Sequence, residues 1–261
     1  MTRAERTITF RERDFKGSRL RCLLLTSEAP TKVAAFLDSL VAPHALVTTE
    51  DHWAPRGFIE ADEAKLGETP GFLPEADRAV LTRWWLAQPG RANTPNWDLV
   101  STCRINGRPG LILVEAKAHE GELSDDVCGA THPENRQQID NALAEAEVAW
   151  NTLASGATLS ANSHYQLSNR FAFAWKVAKM GVPVVLLYLG FIDAHEMEED
   201  GRTLLRDHAQ WRRCFLARSN GTIPEDAWDR TFDVDGTPLT TLIGSAIVSI
   251  DPRSAGNRAP V

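Results

Sequence analysis

Asp98, Glu115 and Lys117 are residue types that can share one hydrolytic centre, and two strand-forming runs, 97–105 and 111–118, carry them. Asn106-Gly107 joins the runs, and this dipeptide is a strong signal for a two-residue hairpin turn. With that turn Ile105 opposes Arg108, and counting outwards brings Asp98 opposite Glu115. Opposed residues of antiparallel strands share a face, and side chains along a strand alternate. Asp98, Glu115 and Lys117 therefore converge on one patch. Pro109 agrees with this register, because the pair it forms with Arg104 needs no ladder donor. A loop two residues longer would set Asp98 against Lys117 and keep the common face, whereas a one-residue slip would separate the three.

Two opposed carboxylates repel, and a divalent cation between them removes the conflict. Mg²⁺ takes oxygen ligands, one or two of them carboxylates, and leaves positions for water and a phosphate. Lys117 could orient or deprotonate such a water, or stabilise charge on phosphorus. The plainer alternative is that Glu115 and Lys117 pair with each other on a solvent face. Leu111-Ile112-Leu113-Val114 is apolar on both faces, however, and places the strand inside a sheet.

The elements that must position these residues are readable to different extents. Residues 6–10, 20–26 and 45–49 are rich in strand formers, and residues 31–40 follow Pro30 as a helix. A helix over 75–87 closes at Pro89 and Gly90. Residues 134–153 carry an apolar stripe at Ile139, Leu143, Ala146, Trp150 and Leu153. A further helix spans 163–180, with Asn162 or Ser163 as cap and Gly181 as stop. The unbroken apolar run 184–192 reads as a strand buried on both faces. Helices on either side of central strands make this an α/β chain.

Composition narrows the classes. Of 261 residues, 43% are hydrophobic and 24% charged, the balance of a globular protein rather than a disordered one. The longest apolar run, 181–192, is far short of the roughly 20 residues of a membrane span. No secretory leader is apparent, and Cys22, Cys103, Cys128 and Cys214 lack paired spacing, so reduced thiols in the cytoplasm are expected. The net charge of −7 argues against wholesale coating of nucleic acid. A local basic rim is still available, because residues 202–218 hold five arginines against one acid. His195-Glu196 starts a zinc-protease motif that lacks its second histidine, and Cys128 with His132 is an incomplete ligand set. Trp84, Trp85, Trp150 and Trp175 fall on helices as core, while Trp53, Trp97, Trp211 and Trp228 stay open to base stacking.

An Asp on one strand followed by Glu115-Ala116-Lys117 at the end of the next resembles the PD-(D/E)XK nuclease superfamily. The resemblance covers about 75–192. It implies that Asp98 and Glu115 bind Mg²⁺ (or Mn²⁺), that Ala116 adds its carbonyl, and that Lys117 is the catalytic lysine. Gln166 and Arg170, one turn apart on the helix 163–180, are similar to the polar pair many members carry beside the site. They are expected to position the substrate or to orient Lys117. The order of hairpin, helix and strand also matches. Trp97 rather than proline precedes Asp98, the helix 134–153 is an insertion, and Glu60, Glu63 and Glu75 are all open as a further upstream acid.

The resemblance implies one α/β domain over 1–261, with a restriction-endonuclease-like central mixed sheet flanked by helices and extra N-terminal strands. Segments 1–55 and 202–261 would be elaborations of the core. The expected activity is metal-dependent hydrolysis of phosphodiester bonds, of DNA in preference to RNA, with no membrane partner and a homodimer left open. Two rivals stand beside it: a non-catalytic relative that binds nucleic acid or a protein, and an enzyme of unrelated chemistry.

Overall fold

A computed structural model of the protein describes residues 17–198 and 201–249. The strand expected over 6–10 lies outside them. The chain opens with helices α1 (Gly17–Thr26) and α2 (Pro30–Val41), followed by the two-residue strands β1 (Trp53–Ala54) and β2 (Ala64–Lys65) and helix α3 (Glu75–Trp85). Next come β3 (Asn96–Trp97), β4 (Leu99–Ile105) and β5 (Arg108–Lys117), then helices α4 (Pro133–Leu153) and α5 (Tyr165–Lys179). Strand β6 (Val184–Phe191), helix α6 (His208–Ser219) and the hairpin β7 (Arg230–Val234) and β8 (Thr237–Ala246) complete the order.

Six strands form one mixed sheet in the order β1-β4-β5-β6-β8-β7. Strands β5, β6 and β8 run parallel, and the remaining pairs are antiparallel. Period-two alternation splits the core into two layers. Leu111 and Leu113 of β5, with Val184 and Leu186 of β6, pack under α3, α4, α5 and α6. Ile112, Val114 and Ala116, with Val185 and Leu187, face α1 and α2 on the other side. Both faces of the sheet are covered, which explains why β6 is buried at every position.

The expected extra N-terminal strands are corrected. Residues 20–26 belong to helix α1, whose Cys22 and Leu25 pack on the α2 side of the sheet. A short apolar run cannot distinguish a buried helix from a strand by periodicity, and here the sheet face needed a cover. Segment 45–49 contributes only an isolated bridge, Leu46 with Arg104. At the other end β7 and β8 join the main sheet, so the sheet reaches well past residue 192. Strand 97–105 is interrupted at Asp98. Asn96–Trp97 pairs with Ala64–Lys65 in a separate small sheet, and pairing with β5 starts at Leu99.

The tryptophans left open to base stacking are all interior. Trp53, Trp97, Trp211 and Trp228 are each buried, packing as core rather than presenting a ring to solvent. Glu196 of the incomplete zinc motif receives both terminal nitrogens of Arg21, a guanidinium enclosed in α1. Cys22, Cys103 and Cys128 are buried free thiols, and Cys214 is partly exposed. No described helix is long and apolar enough to cross a membrane.

Candidate functional site

The site is built from the hairpin outward. Asn106 and Gly107 both adopt positive φ, 52° and 77°, as a two-residue type I′ turn requires. Ile105 pairs with Arg108, Arg104 with Pro109 and Leu99 with Val114. One step further lies Asp98, across from Glu115. Asp98 does not continue the ladder through its backbone there. Its carboxylate Oδ2 accepts the Ala116 N–H at 2.7 Å, so the side chain takes the place of a strand carbonyl. In an extended residue C=O and N–H point to the same side, so the Ala116 carbonyl is also turned toward Asp98.

Glu115 is almost wholly buried, 1% exposed, and both of its oxygens carry a cation. Lys117 Nζ donates to Oε1 at 2.5 Å, and Arg170 Nε donates to Oε2 at 2.7 Å. Lys117 also donates to Gln166 Oε1 at 2.6 Å. The pair on α5 thus reaches the hairpin as a unit, Gln166 on the lysine and Arg170 on the glutamate. Arg170 is otherwise committed: Nη1 donates to Asn169 Oδ1 at 2.7 Å and Nη2 to the Asn96 carbonyl at 2.6 Å. Its guanidinium lies 4.5 Å from the centroid of the Trp97 ring. These contacts serve Glu115 and strand β3, and leave the guanidinium enclosed rather than facing a substrate.

The start of α5 is fixed from a distance. The expected cap at Asn162 or Ser163 gives way to Asp126, whose two carboxylate oxygens each accept the Gln166 N–H at 3.1 Å. His164 precedes the helix with φ of 43°. A loop residue 40 positions away therefore sets where Gln166 begins its reach toward Lys117.

Charge states follow from these contacts. Burial pushes the Asp98 carboxyl well above the usual range, and the like charge of Glu115 adds to this, against Lys117 and the Ala116 N–H. Burial also pushes Glu115 up, but Arg170 and Lys117 outweigh it and hold that carboxyl low. Burial works against the Lys117 ammonium, yet Glu115 and Asp98 keep its pKa raised. Lys117 is thus a charged donor in this state, suited to orienting water or meeting negative charge rather than to taking a proton.

A divalent cation can be tested against this donor set. Asp98 retains solvent contact, and its Oδ1 has no hydrogen-bond partner among the described residues. Glu115 holds one donor per oxygen and keeps a second lone pair on each. Two carboxylates and a carbonyl, completed by water, suit Mg²⁺. No cluster of three or more Asp, Glu, His or Cys residues suited to a metal occurs among the described residues. Lys117 and Arg170 already pair with Glu115, so an ion here would share that carboxylate with them.

Among the upstream acids, Glu63 comes nearest in effect. It accepts from Asn96 Nδ2 at 3.1 Å, and its charge contributes to raising Asp98. Glu75 starts α3, and Glu60 bridges to Arg56 through its backbone. The Glu122 carboxylate, five residues past Lys117, accepts the Ala118 N–H at 2.5 Å and the Ser18 N–H at 3.4 Å, tying α1 to the end of β5. Tyr188 carried no signal in sequence. It pairs with Glu115 in the parallel register of β5 and β6 and shares its face. Comparison of the chain with family models, curated proteins and solved structures found no match.

Proposed function

We propose that the protein is a Mg²⁺-dependent (or Mn²⁺-dependent) nuclease of the PD-(D/E)XK superfamily, with a restriction-endonuclease-like fold, hydrolysing phosphodiester bonds of DNA in preference to RNA. The observation that supports this most is the convergence of Asp98, Glu115 and Lys117 on one sheet face, with Gln166 on the lysine and an Asp98 oxygen open to solvent. The order of hairpin, helix and parallel strand from β4 to β6 agrees with it.

In this reading Asp98, Glu115 and the Ala116 carbonyl hold the ion. When bound, the ion would lower the pKa of water and offset charge building on phosphorus. Lys117 presents its ammonium to the attacking water or to a phosphoryl oxygen, stabilising charge that develops there. Gln166 accepts from Lys117 and fixes its direction. Arg170 keeps Glu115 ionised by a charge-assisted hydrogen bond inside the protein. The basic segment 202–218 would supply part of a backbone-binding rim, and the cytoplasm is the compartment we assign.

Incubation of the protein with linear, circular and single-stranded DNA, with Mg²⁺ or Mn²⁺, tests this reading. Metal-dependent cleavage that disappears in Asp98→Ala and Lys117→Ala is expected. The pairing of Glu115 with two cations also favours a second reading, a non-catalytic relative in which the cluster is a structural ion-pair network. DNA binding without cleavage, and without any response to metal ions, would favour that one.

A further inference from the structure

Beside Lys117 a small, solvent-open cleft runs between the start of α5 and the end of α6. Lys117, Gln166, Tyr188, Asp126, Glu122 and Arg218 are among its lining residues. Tyr188 is 2% exposed, and its hydroxyl is buried without a hydrogen-bond partner. Its ring is held by Phe215 and Trp228, with centroids 4.7 Å and 5.4 Å away, so the phenol is rigidly placed. A buried hydroxyl with nothing to bond costs free energy comparable to a lost hydrogen bond, so an acceptor that reaches it from the cleft would be held favourably.

The other polar groups show what kind of partner that is. Lys117 spends two of its three N–H donors on Glu115 and Gln166. Gln166 accepts through Oε1, and its amide nitrogen has no acceptor among the described residues. Arg218 is exposed and has no ion pair or hydrogen bond among the described residues. The two acids are already engaged, Asp126 by the Gln166 N–H and Glu122 by the Ala118 and Ser18 N–H groups. Lys117, Gln166, Arg218 and the Tyr188 hydroxyl thus bring donors that have no acceptor among the described residues. The missing group is rich in acceptors.

We propose that this cleft is a phosphate subsite, in which the Tyr188 hydroxyl, Arg218 and the spare donors of Lys117 and Gln166 receive a phosphate of the substrate strand next to the one cleaved. The assignment of that phosphate to a nucleic-acid strand rests on the nuclease reading. The donor surplus does not, since a free phosphate compound would satisfy it equally.

The test is calorimetric binding of thymidine 3′,5′-bisphosphate, thymidine and inorganic phosphate to the full chain, as wild type, Tyr188→Phe and Arg218→Ala. The bisphosphate should bind and thymidine should not. Tyr188→Phe should weaken binding about tenfold, the loss of one hydrogen bond to a charged group. Its melting temperature should be unchanged or higher, because no internal bond is lost. Arg218→Ala should weaken binding about three- to tenfold, and should lower the salt dependence of DNA binding by about one phosphate contact. Phosphate compounds bound with this variant sensitivity, but no DNA binding, would keep the subsite and overturn the nuclease reading. Metal-dependent DNA cleavage with bisphosphate unbound, or bound alike by all three proteins, would keep the nuclease reading and overturn the subsite.

Discussion

Lys117 and Glu115, two residues apart on one strand, form a buried ion pair with Nζ 2.5 Å from Oε1. Arg170 takes the other oxygen, so the carboxylate is held from both sides. This is why Glu115 stays ionised with 1% of its surface exposed, and why the lysine stays charged.

Arg170→Met should be severely destabilising. It leaves Glu115 with a single cation inside the protein, and breaking one partner of a buried pair costs about 3–5 kcal/mol. Urea unfolding of the variant should show that loss, and Arg170→Lys should recover only part of it, because the bonds to Asn96 and Asn169 need the guanidinium fork. A loss below about 1 kcal/mol, the scale of exposed pairs, would mean the cluster is more hydrated than its contacts indicate.

Asp98→Asn should stabilise the metal-free protein near neutral pH. The folded-state pKa of Asp98 is raised, so its contribution to stability is fully present below about pH 4, the ordinary carboxylate value, and is lost as pH rises through the folded pKa. The amide escapes that loss while its oxygen can still accept the Ala116 N–H. Melting curves of the two proteins should coincide at low pH and diverge as pH rises, with the variant higher. Added Mg²⁺ should raise the wild type alone. Equal melting temperatures across the range would show that Asp98 carries no penalty.

Gln166→Leu removes the second acceptor of Lys117 without touching either carboxylate. The stability cost should be about 1 kcal/mol, that of one hydrogen bond. Cleavage should fall by about tenfold or more, as expected when a charged group in the site loses its orientation. Unchanged turnover would assign Gln166 to packing alone.

Gly190→Ala tests the packing of α6 on β6 at the strand position paired with Lys117. A Cβ at that position would lie 2.5 Å from the Trp211 ring, where α6 crosses β6. The expected cost is about 1–3 kcal/mol from overpacking, measured by denaturant unfolding.

The hairpin was legible because its determinants are local. Asn106-Gly107 dictates the turn, the period of two dictates the face, and Pro109 is compatible with the resulting register. The helical placement of Gln166 and Arg170 was legible for the same reason, since residues four apart share a face. Helix α1 was not, because Leu20 and Leu23 to Leu25 satisfy strand and helix patterns equally, and only the uncovered sheet face decides. The break at Asp98 depends on a side chain accepting Ala116 N–H from another strand. The β7–β8 hairpin turns at Asp235-Gly236, with φ of 51° and 79°, and its place in the main sheet is a long-range matter. The enclosure of Arg170 by Asn96 and Trp97 likewise joins parts of the chain that no spacing rule connects.

The most direct measurement is cleavage of an end-labelled DNA duplex by wild type and Asp98→Asn, first with metal ions removed by chelation and then with Mg²⁺ restored. Product should form only from the wild type, and only after Mg²⁺ is returned. Product formed without metal, or formed equally by Asp98→Asn, would contradict the Mg²⁺-dependent reading.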